Sequence, residues 1–211
     1  MRGIIVSNGC IRDYNYTARY FEGVELVLCA DGGAAHLKKL GVTPDILLGD
    51  FDSISIEDLE QYQNAGVQIM KFPAEKDMTD SELAVEIAIE KGCREIVLIG
   101  SMGTRFDHTL ANIFLLKKML DLGVAGTAAD EYNEIRLIRE SIHLNREPGM
   151  KVTLLPMSET VEGVTTKGLY YPLKDATLRK GSTWGVSNEF VESAASVTIT
   201  SGELLVITSR D

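Results

Sequence analysis

The sequence predicts a chain of α/β plus all-β class: an N-terminal, mostly parallel sheet flanked by helices, then a C-terminal antiparallel β-sandwich. Three observations carry this. Apolar runs at residues 4–7, 26–30, 46–48, 67–71 and 96–100 are continuous rather than alternating, as strands buried on both faces require. Helical patterns lie between them, and strand–helix alternation implies parallel pairing. After about residue 130 the helical period disappears. Short strand-like runs follow at 135–138, 152–155, 161–165, 168–173, 196–200 and 204–207, separated by turn signals such as Glu147-Pro148-Gly149 and Ser201-Gly202. The pattern alone allows a sandwich or a roll. The texture change sets a boundary near Glu140, with an α/β unit over 1–139 and a β unit over 140–211.

Among the helices, 79–91 has the clearest signature. Thr79 and Glu82 form a T-x-x-E capping box, Leu83, Ala84, Ile87 and Ala88 recur at helical spacing, and Gly92 is the expected stop. A second helix is expected over 108–122, with Leu110, Ile113, Phe114 and Lys117 on successive turns. A third over 34–40 ends at Gly41.

With 45% hydrophobic and 25% charged residues in 211, the composition is that of a globular protein with enough chain for a real core. No apolar run reaches the roughly 20 residues of a membrane helix, and the short apolar start at residues 4–6 reads as a strand, not a secretory leader. Cys10, Cys29 and Cys93 are scattered without zinc spacing and read as reduced thiols. A cytoplasmic protein is expected. The net charge of −10 shows no basic face for nucleic acid, although a metal ion can bring positive charge to an acidic site.

Four segments at the ends of predicted strands carry candidate chemistry. Asp31-Gly32-Gly33 follows the second strand; glycines there let backbone N–H groups approach a phosphate, or simply make a tight turn. Asp50-Phe51-Asp52-Ser53 follows the third. Two carboxylates two apart in an extended segment point the same way, repel each other, and are relieved by a hard cation such as Mg²⁺. Glu75-Lys76-Asp77-Met78-Thr79-Asp80 comes next: Asp80 suits the start of a helix, and Lys76 is a point charge for phosphate oxygens or a solvated lysine. Gly103-Thr104-Arg105-Phe106-Asp107-His108 offers the forked guanidinium of Arg105, free to clasp phosphate or to staple the loop through Asp107. Glycine, acid, lysine and arginine at four successive strand ends suit a metal-bound polyphosphate better than they suit packing.

In their order, Asp31-Gly32-Gly33, Gly49-Asp50-Phe51-Asp52-Ser53, Lys76-Asp77-x-Thr79-Asp80 and Gly103-x-Arg105-Phe106-Asp107-His108 resemble the thiamine pyrophosphokinases, over nearly the whole chain. The resemblance implies an ATP-binding catalytic α/β domain and a β-sandwich that binds thiamine and dimerises. It implies Mg²⁺-dependent transfer of diphosphate from ATP to thiamine by a homodimer with shared sites. It assigns Asp50, Asp52 and Asp80 to the metal and Lys76, Thr79 and Arg105 to ATP phosphates. Asp31, Gly32 and Gly33 fall on the nucleotide side, and Asp107 beside the reacting groups. Gly185-x-Ser187-Asn188-Glu189 also resembles the bacterial pattern, so Ser187 and Asn188 are expected at the thiamine pyrimidine. Trp184, the only tryptophan, is a candidate to stack on the cationic ring or, equally, an interface or core aromatic. The arginine loop departs from the family's frequent Gly-Gly-Arg by reading Gly103-Thr104-Arg105. Competing readings are a pterin diphosphokinase, a non-catalytic thiamine sensor and a Mg²⁺-dependent phosphohydrolase.

Overall fold

A computed structural model describes every residue except Ser53, Ala74 and Lys76. The chain divides into two compact units, Met1–Glu131 and Tyr132–Asp211. The break falls earlier than the Glu140 boundary read from the sequence. Residues 133–138 pair along their length with the C-terminal strand, and that places them in the second unit.

The first unit follows the predicted alternation. Its strands are β1 (Arg2–Val6), β2 (Leu26–Ala30), β3 (Ile46–Gly49), β4 (Gln68–Lys71), β5 (Glu95–Ile99) and β6 (Ala125–Ala129). They lie in the order β6-β5-β1-β2-β3-β4, every pair parallel. Between them run α1 (Tyr14–Thr17), α2 (Ala34–Leu40), α3 (Ile56–Asn64), α4 (Asp80–Glu90) and α5 (Phe106–Asp121). Ile4, Val6, Cys29, Leu47, Val97 and Ile99 share one core layer with Leu37 of α2 and Leu59 of α3. The alternate residues Ile5, Leu28, Leu48, Ile96 and Leu98 are equally buried, so the central strands are covered on both faces, as their unbroken apolar runs require.

Helix α4 forms the Thr79 half of the predicted capping box: the Thr79 side chain accepts the Glu82 N–H at 3.2 Å, while the Glu82 carboxylate turns to Lys118. Its first turns are tied to α5 by Lys118, which donates to Glu82 (2.8 Å) and to Glu86. Helix α5 differs from expectation. It starts at Phe106, and its buried face is Asn112, Leu115, Leu116 and Met119, while Phe106, Leu110 and Phe114 face out. Buried Asn112 donates to the Ser101 carbonyl at 2.7 Å, so one polar contact at the strand end fixes a rotation that the apolar spacing does not. Strand β6 went unpredicted because Ala125-Gly126-Thr127-Ala128-Ala129 is low in β propensity. Small residues are needed there, since a Cβ on Gly126 would sit 2.6 Å from the Met119 methyl carbon.

The second unit holds β7 (Asn133–Ile138), β8 (Ser141–Asn145), β9 (Lys151–Pro156), β10 (Thr160–Lys167), β11 (Ala176–Arg179), β12 (Asn188–Glu189), β13 (Ala194–Thr198) and β14 (Leu204–Ser209). Antiparallel pairing gives β12-β9-β14-β7 and β11-β10-β13-β8. The inward side chains of both sheets, among them Val152, Leu154, Leu204 and Val206 against Leu144, Val161, Val164 and Val197, form one core, which makes this unit a sandwich. The expected strand at 168–173 is instead an irregular segment with a single bridge, Leu169 to Phe190.

Candidate active site

The strand order of the first unit reverses at β1: β2, β3 and β4 extend to one side, β5 and β6 to the other. The connections after β1 and β5 therefore run on to strands on opposite sides, and the carboxyl ends at such a switch point are the usual ligand position in these sheets. A cavity of about 550 Å³ lies there. It is walled by Ser7, Gly9 and Cys10 after β1, Ala30 and Asp31 at the end of β2, Thr79 to Ser81 at the start of α4, and residues 100–105 after β5.

Glycine lets these loops close on one another. A Cβ on Gly9 would stand 2.4 Å from both the Gly100 and Met102 carbonyl oxygens, and one on Gly33 would stand 2.2 Å from the Val6 oxygen. With no side chain in the way, Gly9 N–H donates to Gly100 O (2.6 Å) and Cys10 N–H to Met102 O (2.8 Å). Ser7 and Ser81 hydroxyls meet at 2.9 Å, joining the first loop to α4. Asp31 has φ 44° and Phe51 φ 65°, so non-glycine residues occupy the left-handed region at the ends of both β2 and β3. For a bulky phenylalanine this is an outlier of the kind that collects at functional rims.

The sequence-selected residues are distributed as follows. Asp31, Thr79, Asp80 and Arg105 line the cavity. Gly32 and Gly33 are buried in the turn behind it. Asp50 and Asp52 are not in its wall; they sit on the adjacent rim, where a Cβ on Gly49 would lie 3.1 Å from that of Asp31. The extended backbone on which Asp50 and Asp52 are expected to point one way is not found. Phe51 is left-handed, and Asp52 N–H folds back onto the Asp50 carboxylate at 3.1 Å. Among the described residues no three His, Cys, Asp or Glu side chains gather at one metal-sized point. Lys76 lies outside the described residues.

Arg105 and Asp107 form an exposed forked pair, Nε to Oδ1 at 3.3 Å and Nη2 to Oδ2 at 2.6 Å. The hydrogen bond from Arg105, helped by the His108 backbone, holds the Asp107 carboxyl below the ordinary carboxylate range. Asp107 is thereby a weak base, and Arg105 keeps other N–H groups for an anion. The starts of α4 and α5 add the positive ends of two helix dipoles.

Sequence reasoning passed over Ser7, Asn8, Ser81, Ser101, Asn112 and His36. A signal existed for the first two: Ser7-Asn8-Gly9 follows β1 just as Asp31-Gly32-Gly33 follows β2. The polar residues on helices carried none, because their roles depend on which loop each helix meets.

In the second unit, Asn188 is buried, with both polar atoms of its amide hydrogen-bonded. Its Nδ2 donates to Tyr171 O (2.8 Å), and its Oδ1 accepts from Tyr171 N (3.0 Å) and Glu189 N (2.9 Å). Ser187 has φ 60°, and its N–H donates to the Thr153 hydroxyl at 3.0 Å. Trp184 is 63% exposed, and Tyr170 and Tyr171, packed edge to face with centroids 4.8 Å apart, are 62% and 64% exposed.

A crevice at the switch point of a parallel sheet, closed by glycine turns and two helix starts, places the first unit among α/β proteins that bind ligands beyond the carboxyl ends of their strands. Comparison with known proteins goes further. A family model described as "Thiamin pyrophosphokinase, catalytic domain" matches residues 17–125, and one described as "Thiamin pyrophosphokinase, vitamin B1 binding domain" matches 139–206. The thiamine pyrophosphokinase of Bacillus subtilis is 31% identical over 91% of each chain. A crystal structure of thiamine pyrophosphokinase from that organism covers 100% of both chains with a TM-score of 0.89 at 30% identity. The enzyme from Geobacillus thermodenitrificans gives 0.86 at 31% identity, over 100% of this chain and 98% of the other. The chain belongs to the thiamine pyrophosphokinase family.

Proposed function

We propose that this chain transfers the terminal diphosphoryl group of Mg²⁺-bound ATP to the hydroxyl of thiamine, giving thiamine diphosphate and AMP. The reading rests on its family and on one observation above the rest: the switch-point cavity, where glycine-lined loops, two helix starts and Arg105 converge. Backbone N–H groups and helix dipoles suit a polyphosphate. Thr79 spends one lone pair on the Glu82 N–H and keeps its hydroxyl proton for a phosphate oxygen. Arg105 brings a guanidinium that stays charged, and Lys76, four residues before Asp80 in the sequence, is a second candidate cation.

Asp50, Asp52 and Asp80 offer hard carboxylate oxygens, and Asp31 stands beside the Asp50 loop. Oxygen donors of that kind suit Mg²⁺ by their chemistry, and since among the described residues no three acids already meet at one point, binding would have to draw them together. Asp50, Asp52 and Asp80 would hold the metal, which when bound neutralises phosphate charge. The chain's own residues do the rest. The hydroxyl oxygen bonds to the β-phosphorus, the bond from that phosphorus to the α–β bridging oxygen breaks, and AMP departs with that oxygen. The hydroxyl proton passes to a carboxylate. Asp80 and Asp107 are the two candidates, each beside a cation in this scheme, the metal for Asp80 and Arg105 for Asp107. The helix starts and Arg105 orient the phosphates, and positioning of this kind is the larger part of phosphoryl-transfer catalysis.

Thiamine is assigned to the second unit, with Ser187, Asn188 and Trp184 at or near its rings. Asn188 then acts by fixing the Tyr170–Tyr171 backbone, since its own polar atoms are occupied. A homodimer is supported by apolar surface left open within each unit: Phe106, Leu110 and Phe114 along α5, and Tyr170, Tyr171 and Trp184 in the sandwich. The three free thiols support a reducing, cytoplasmic setting. Among the described residues, no helix is long and apolar enough to cross a membrane. The test is incubation with Mg-ATP and thiamine, following AMP and thiamine diphosphate together. Equal, thiamine-dependent formation of both is expected. Phosphate release without thiamine, or thiamine binding without turnover, would overturn the proposal.

A further inference from the structure

The peptide between Gly9 and Cys10 lies in the cavity wall, and both of its polar ends are held. Its N–H, on Cys10, donates to Met102 O at 2.8 Å. Its carbonyl, on Gly9, lies 2.8 Å from Nε2 of His36. A carbonyl can only accept, so Nε2 carries a proton. The other ring nitrogen, Nδ1, meets the Tyr14 hydroxyl at 2.8 Å, and that hydroxyl can donate to a neutral ring or accept from a charged one. His36 itself does not line the cavity.

We propose that His36 is a positioning residue for ATP, a latch that holds the Gly9 carbonyl toward α2 and keeps its negative end out of the phosphate site. The inference rests on the ATP reading of the cavity. Its physical basis is a conflict at Gly9. Packing demands glycine, because any Cβ would strike the Gly100 and Met102 oxygens. Glycine is also the residue whose flanking peptides rotate most freely. Rotation of this peptide would break the Cys10–Met102 bond and swing a carbonyl oxygen, with its partial negative charge, toward the bound anion. The hydrogen bond from His36, with the ring steadied by Tyr14, restrains the freedom that packing imposes.

The test compares His36→Phe, His36→Gln and Tyr14→Phe in the full chain. Phenylalanine keeps a ring and loses both hydrogen bonds; glutamine can return an N–H near the Nε2 position. His36→Phe should weaken binding of Mg²⁺ with a non-hydrolysable ATP analogue about three- to tenfold, the worth of one hydrogen bond. The thiamine KM and kcat should stay within about twofold, the cost of one hydrogen bond at most falling on ATP alone. His36→Gln should recover most of the loss, and Tyr14→Phe should shift ATP affinity the same way by less. Unchanged ATP affinity in His36→Phe, or glutamine no better than phenylalanine, would overturn the latch. If His36→Phe does not fold, Tyr14→Phe decides, and wild-type affinity there sinks the idea. Amide exchange of Cys10 without nucleotide gives an independent reading: it should quicken in His36→Phe, and no change refutes the latch. A wild-type chain that binds no ATP defeats the functional proposal instead, leaving the latch to stand or fall on Cys10 exchange.

Discussion

Replacing Gly9 with alanine tests how the cavity is built. The new methyl would stand 2.4 Å from two carbonyl oxygens and 2.9 Å from the Gly100 carbonyl carbon. A comfortable carbon–oxygen contact is about 3.3 Å or more, so the loops after β1 and β5 must part by roughly 1 Å. Neither is a flexible side-chain tip: both are backbone, continuous with strands buried on two faces. Parting them breaks or stretches the bonds from Gly9 N to Gly100 O and from Cys10 N to Met102 O, 2.6 and 2.8 Å long. Two hydrogen bonds at about 1 kcal/mol each, plus about 1–3 kcal/mol for overpacking, give a loss near 3–5 kcal/mol. The same shift carries the Arg105 loop away from the other walls, and a 1 Å misplacement of binding groups can cost about 100-fold in rate. Urea unfolding measures the first effect and kcat/KM for ATP the second. Gly23→Ala is the control: its φ is 69° but nothing lies within 4 Å of the new Cβ, so it should cost only the left-handed backbone, about 1–2 kcal/mol, and spare activity. Stability of Gly9→Ala within about 0.5 kcal/mol of wild type, the range of an ordinary surface change, would refute the account of the loop contact.

Asp52→Asn should leave the fold intact, since the side chain is exposed, while kcat falls severely; ordinary turnover would remove Asp52 from the proposed metal set. Asn188→Ala should raise the thiamine KM with little change for ATP. It should also destabilise the second unit by about 1–3 kcal/mol, because Tyr171 N–H and C=O lose a part-buried hydrogen-bond partner; calorimetry and steady-state kinetics check the two parts. Of the three thiols, only exposed Cys10 should react with a thiol reagent in the native protein, Cys29 and Cys93 reacting after denaturation. Burial, reinforced by Asp31, pushes the Cys29 thiol far above its usual 9.0. The unfolded chain then releases that proton first as pH rises. Stability from this group is therefore complete below about pH 9 and declines above it, by about 1.4 kcal/mol per pH unit, visible as a falling Tm. A Cys29→Ala variant with the same alkaline slope would disprove that origin.

Much of this architecture was legible locally. The parallel strands announced themselves because burial on two faces needs unbroken apolar runs, and α4 because Thr79, Glu82 and Gly92 are a complete start and stop. The segments rich in Asp, Gly and Arg were legible for a related reason: charged residues at strand ends are not explained by packing in an apolar core. Strand β6 was hidden by its small residues, and the 168–173 segment looked like a strand because Tyr170 and Tyr171 carry β propensity without a full ladder to join.

What the chain alone determined, then, was which elements form and which side chains can do phosphate chemistry, since capping, periodicity and side-chain type act within a few residues. Only the tertiary structure decided where those groups point. The rotation of α5 was set by Asn112 finding the Ser101 carbonyl, the turn between Asp50 and Asp52 by a left-handed Phe51, and the Gly9 peptide by His36 reaching back from α2. Each depends on a contact the surrounding sequence does not record: a hydrogen bond between segments distant in the chain, or a backbone conformation imposed by packing.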